Sequence, residues 1–198
     1  MFAGDYGIAT YDKNYYLNTG SSKQQMSELE KLTSTFIHYY ERNLSIPYGE
    51  AITYIETAPT SKYDTWYFVA YPSIVAMTRE DGFTNTQASW FKAFIAHELA
   101  HYYFGTYKKF NSELGDMFTE SLAEYLSIKA TKDLLGKDAY LDRVTNKLNE
   151  LKEVELPAIS SIKSGSEYVD RELYVYVYAP VIWLAVEKEI GSEKCCYG

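Results

Sequence analysis

Cysteine is nearly absent from this chain: there are two in 198 residues, side by side at Cys195 and Cys196. Neighbouring cysteines close a disulfide only with strain, so a disulfide framework is excluded and free thiols are expected. Basic residues are outnumbered, 19 Lys and Arg against 27 Asp and Glu, for a formal net charge of −8. Nucleic acid is held by clustered cations, and Lys108-Lys109 is too small a patch to qualify, which excludes a nucleic-acid partner. No apolar run reaches the roughly 20 residues of a membrane-spanning helix. The longest, Tyr174 to Val186, contains Pro180. No secretory signal opens the chain, and localisation stays open. Repeats and low-complexity linkers are missing too. With 46% hydrophobic residues, this length supports one domain with a substantial core.

Histidine is equally scarce, three in all, yet two of them fall in His97-Glu98-Leu99-Ala100-His101. Residues four apart on a helix share a face one turn apart, so His97 and His101 can grip one metal ion together. Glu98 then stands beside the ion. A carboxylate so placed is the general base that takes a proton from the water a zinc ion activates. The stripe Trp90, Phe91, Phe94, Ile95 and Leu99 predicts a buried helix, with Thr84 and Gln87 as a capping box ahead of it and Gly105 as its stop. The third histidine, His38, borders the apolar face of another predicted helix and is read as a packing or surface residue without a role.

A catalytic zinc ion takes three protein ligands and leaves one position free. The candidate for the third is Glu120, with eighteen residues between it and His101, on an amphipathic segment from Gly115 to about Leu135 that ends at Gly136. Glu124 lies one turn further on the same face. It either accepts the outer N–H of a ligating histidine or belongs to a solvated face.

The segment from His97 through Phe104-Gly105, the eighteen-residue spacing and Glu120 together resemble the zinc signature of the gluzincin aminopeptidases, the family of alanyl aminopeptidase and leukotriene hydrolase. Asp116 falls where that family commonly has an acid, and Ser121-Leu122-Ala123 resembles the stretch after its ligand Glu. Phe36 to Tyr48 resembles the family's first catalytic helix and its Ile-Pro-Tyr turn. Tyr176-Val177-Tyr178-Ala179, closing at Gly191, resembles its Tyr-x-Lys-Gly helix start, with Tyr178 and Ala179 replacing Lys and Gly. By that resemblance Tyr176 is the catalytic tyrosine that hydrogen-bonds the oxyanion. Tyr174 and Tyr178 flank it at spacing two, so the register, or a plain aromatic core segment, stays open.

The resemblance implies a zinc metallopeptidase with one zinc ion on His97, His101 and Glu120, a peptide substrate, and Glu98 as base and then acid. One departure is evident. The family's Gly-x-Met-Glu-Asn strand, whose Glu captures the free amine, has no counterpart in Trp66 to Glu80, although the end of that stretch resembles the strand. Glu56, Asp64 and Glu80 are the nearest acids, none at the matching position. The alternatives are therefore an endopeptidase or specialised hydrolase, or a non-catalytic zinc-containing binding module.

The fold expected is α+β: a small, mostly antiparallel sheet from strands at 51–57 and 66–78, followed by helices. Ser21 and Gln24 cap a first helix whose apolar face runs through Met26, Leu29, Phe36, Ile37 and Tyr40. A charged helix spans Lys137 to Lys152, and a last one about Ala179 to Glu189 with Pro180 in its first turn. The resemblance implies a single thermolysin-like catalytic domain, with a sheet-containing lobe at 1–83, a helical lobe at 84–198 and zinc at the seam. It also implies a longer protein with flanking domains, since Met1 to Tyr6 resembles the crossover into the family's catalytic part.

Overall fold

The computed structural model describes residues 7–17, 20–57, 67–70, 73–78, 82–156, 158–162 and 170–191. Met1 to Tyr6, Asp64, Trp66, Glu80 and the cysteine pair lie outside them. The chain begins with a hairpin of β1 (Ile8–Tyr11) and β2 (Asn14–Leu17), with Asp12 at its turn in the left-handed region, φ 53°. Helix α1 (Lys23–Leu44) follows. Its capping box is Ser22 with Gln25, one residue later than the sequence suggested, and Met26, Leu29, Phe36, Ile37 and Tyr40 are buried as its 3.6-residue pattern requires.

Strands β3 (Thr53–Thr57), β4 (Tyr67–Ala70) and β5 (Ile74–Thr78) complete a five-stranded sheet of order β1-β2-β3-β5-β4. It is mixed rather than mostly antiparallel. β2 pairs with β3, and β3 with β5, in parallel, whereas only the β1–β2 and β4–β5 pairs are antiparallel. For β2 and β3 the cause is α1, a long crossover that returns the chain in the same direction; β5 runs parallel to β3 because the intervening β4 lies outside it at the edge. Within 66–78, β4 and β5 form an antiparallel pair, with β5 inside the sheet and β4 at its edge.

Helix α2 (Ser89–Ala100) is preceded by a 3-10 turn at Gly82–Thr84 and starts after Ala88 without a side-chain cap. The capping box expected at Thr84 and Gln87 does not form; Thr86 instead donates to Glu28 of α1 at 2.6 Å, tying the turn to the first helix. Next come α3 (Gly115–Ala130), running into a π-helical turn at Thr131–Leu135 that stops at Gly136, and α4 (Lys137–Leu151). The last helical stretch starts earlier than expected. A π-helical turn at Leu173–Tyr178 runs straight into α5 (Ala179–Ile190), so Pro180 interrupts a continuing helix.

The main core joins α1, the sheet, α2 and α3 through buried side chains such as Phe36, Tyr40, Tyr54, Met77, Phe91 and Leu99. A second cluster of Met117, Ile162, Tyr174, Val175 and Ala179 seats the π-turn on α3. Among the described residues no helix is long and apolar enough to cross a membrane.

Candidate metal centre

Helix α2 carries His97 and Glu98 in its last turn, and His101 follows as the C-cap while still in right-handed helical conformation. The two imidazoles therefore keep the i, i+4 relation. They also lie at the negative end of the helix dipole, which favours a cation. Chain reversal is immediate: Gly105 adopts φ 128°, and its N–H reaches Lys108 O at 2.8 Å. This brings α3 back alongside α2, where Glu120 comes within 3.5 Å of Nε2 of both His97 and His101.

One atom from each of these three residues falls within 4.8 Å of the other two. The histidines are about 8% exposed. His97 Nδ1 meets Glu124 Oε2 at 3.1 Å, and His101 Nδ1 meets the Phe104 carbonyl at 3.3 Å. Both partners are acceptors, which assigns the Nδ1 protons to them and turns both Nε2 lone pairs inward. Those two nitrogens are 3.1 Å apart. Two lone pairs and a carboxylate oxygen repel one another unless something positive sits among them.

A proton does so when no metal is bound. Burial opposes charging His97, but the hydrogen bonds to Glu120 and Glu124 outweigh it and raise its pKa to about 10. Burial likewise works against ionised Glu120 and Glu124. His101 and His97 nonetheless hold Glu120 below the usual carboxylate range, and Arg143, His97 and Lys147 do the same for Glu124. The donor set of two imidazoles and one carboxylate fits a zinc ion with an open position.

Glu98 behaves differently. Burial pushes its pKa up against the attraction of the two histidines, and its Oε2 is buried with no hydrogen-bond partner. A carboxylate oxygen left bare beside three converging ligands fits a place for water on an ion.

The π-turn delivers Tyr176, whose hydroxyl donates to Glu120 Oε2 at 2.9 Å. Burial and neighbouring Glu120 keep that phenol protonated. Tyr174 and Tyr178 turn away and pack edge to face on each other, 5.9 Å between centroids. The structure thus brings His97, Glu98, His101, Glu120, Glu124 and Tyr176 together. His38 stays exposed, bonded to Ser34 of its own helix, and Glu56 is buried elsewhere, accepting the Phe83 N–H at 3.3 Å.

Several contributors were invisible in the sequence. Arg143 of α4 donates to Glu124, Ser127 and Thr131 at 2.7–2.8 Å. Arg171 forks onto Asp116 at 2.7 and 2.9 Å, with its guanidinium carbon 5.9 Å from the Tyr176 ring centroid. Arg143 and Lys147, four residues apart, read equally well as a solvated helix face, so the sequence carried no signal for them.

No protein-family model and no curated protein matches the chain by sequence. Solved structures do match by fold. Leukotriene A4 hydrolase from Saccharomyces cerevisiae superposes with a TM-score of 0.66 at 15% identity, over 96% of this chain and 31% of that one. The M1 zinc metallopeptidase from Deinococcus radiodurans, as a point mutant and unmutated, gives 0.58 and 0.55 at 12% identity, over 96% of this chain and 41% of those. At such identities the likeness establishes a shared α+β fold, and the chain spans well under half the length of each of these proteins.

Proposed function

We propose that this chain is a zinc metallopeptidase domain of the gluzincin, aminopeptidase-like type, with a thermolysin-like arrangement in which zinc lies between the sheet-containing and helical parts. The observation that carries the reading is the convergence of His97 Nε2, His101 Nε2 and Glu120 Oε2 beside the unpartnered oxygen of Glu98. The fold shared with zinc metallopeptidases supports it.

His97, His101 and Glu120 are the ligands of one zinc ion, and Glu124 fixes the tautomer and orientation of His97. Zinc held there supplies Lewis acidity, polarising a substrate carbonyl and making a water acidic at neutral pH. Glu98 removes a proton from the attacking water. It then passes that proton to the departing amine. Tyr176 donates its hydroxyl hydrogen to the oxyanion that develops on the carbonyl. The present acceptor of that hydrogen, Glu120 Oε2, is the oxygen assigned to the metal.

The mode of cleavage is a separate question. The stretch Trp66 to Glu80 has no Glu at the position of the family's amine anchor, which favours endopeptidase action over capture of a free amine. The test is cleavage of a mixed peptide set by the zinc-loaded protein, each peptide with a free or an acetylated amino end, read by mass spectrometry. Cutting of acetylated peptides identifies an endopeptidase, and stepwise trimming of free ends alone an aminopeptidase. Intact peptides in both sets would move the assignment to a zinc-containing binding module.

A further inference from the structure

Residue 180 is proline, which has no N–H, so the Tyr176 carbonyl four residues earlier has no α-helical donor. The pyrrolidine ring also crowds that same carbonyl. The backbone widens ahead of the proline: Leu173–Tyr178 is π-helical, with the Ala179 N–H on Tyr174 O, five residues back. The orphaned Tyr176 carbonyl accepts instead from Nζ of Lys147 on α4. That ammonium also lies 2.7 Å from Glu124 Oε1, with both side chains largely removed from solvent. Helix α4 has no fully buried residue, and Lys147 and Arg143 are the side chains that tie it to Glu124.

We propose that Lys147 is a positioning residue that sets two parts of the centre from one ammonium. Through the Tyr176 carbonyl it fixes the turn that aims the phenol, and through Glu124 it fixes the imidazole of His97. This rests on the peptidase reading above for its kinetic consequences and stands independently of it for metal binding.

The test is Lys147→Met, which keeps the length of the side chain and removes the charge. At saturating zinc, kcat for a cleaved peptide should fall about tenfold with KM within about twofold, and the zinc Kd from chelator competition should rise about tenfold. Lys147→Arg should recover most of the zinc affinity by restoring a cation to Glu124. In a Tyr176→Phe background the kcat loss at saturating zinc should shrink below about twofold, because the group being aimed is gone. A loss that persists undiminished in that background overturns the proposal, as do kcat and zinc Kd both within twofold of the parent.

If the parent protein cleaves no peptide, the peptidase reading falls and chelator competition decides Lys147 alone, with an unchanged Kd overturning it. If Lys147→Met does not fold, Pro180→Ala decides. It returns an N–H to the Tyr176 carbonyl and should lower kcat severalfold, or displace the Tyr176 ring resonances in an inactive parent, while leaving zinc Kd unchanged. Kinetics and resonances equal to the parent's overturn the proposal.

Discussion

Glu98 is placed at a cost to the fold. Its carboxyl is buried, one oxygen has no partner, and burial raises its pKa, so ionising it at neutral pH works against the folded state. Glu98→Gln should therefore retain zinc and melt at the same temperature or a few degrees higher, while turnover falls by about 10² or more. Normal turnover in that variant would remove Glu98 from the mechanism. Tyr176→Phe should lower kcat by about 10², whereas Tyr174→Phe, in the neighbouring apolar cluster, should leave it nearly unchanged; the reverse order would mean that the wrong tyrosine was chosen. His97, Glu98 and His101 were legible because helical spacing alone makes them converge. Glu120 was legible through its distance from them along the chain. Arg143, Lys147 and Arg171 were not, since nothing in a sequence says which acid a distant cation will meet.

At the scale of elements, α3 holds Glu120 and Glu124, and its first residue leaves no room for a side chain. A Cβ on Gly115 would stand 2.4 Å from the Phe110 carbonyl. Gly115→Ala should destabilise the protein by about 1–3 kcal/mol and weaken zinc binding, seen in thermal melts and chelator competition. Glu124→Gln should do more harm, about 3–5 kcal/mol in denaturant titration, because it strips the shared anion from two half-buried cations. The helices could be read from their apolar stripes and from Gly136 and Gly191, both at positive φ just past helix ends. The β1–β2 hairpin could not. β2 buries Asn14 alongside Tyr16, because Asn14 bonds Glu30 at 2.7 Å and receives the Ile52 N–H at 2.8 Å, so polarity alternation is blurred. With β2 unread, the parallel β2–β3 pair that the intervening helix implies went unread as well. The π-turn was hidden because Pro180 passes equally well for a helix start.

For the whole molecule, the centre dictates how stability depends on pH. His97, raised from 6.5 to about 10 in the fold, contributes stability that is complete below about 6.5 and is lost as pH rises through about 10. Glu120 and Glu124, lowered from 4.5, contribute stability present above about 4.5 and lost as pH falls below it. The metal-free protein should therefore melt highest between roughly 4.5 and 6.5. Zinc bound as proposed would displace the His97 proton, so its stabilising effect should grow toward alkaline pH. Melts from pH 4 to 10, with chelator and with zinc, test this; metal-free curves that stay flat between pH 6.5 and 10 would contradict it.

The indole of Trp183 on α5 donates to Ser121 Oγ at 2.9 Å, on the residue next to Glu120, and its ring lies 5.7 Å from that of Phe118, tilted by 34°. Any rearrangement of α3 on loading is thereby passed to a fluorophore. Trp183 is thus a built-in optical gauge, and a zinc titration followed by emission should lose the share of its signal that comes from α3 in Trp183→Phe, while Trp90 on α2 still reports.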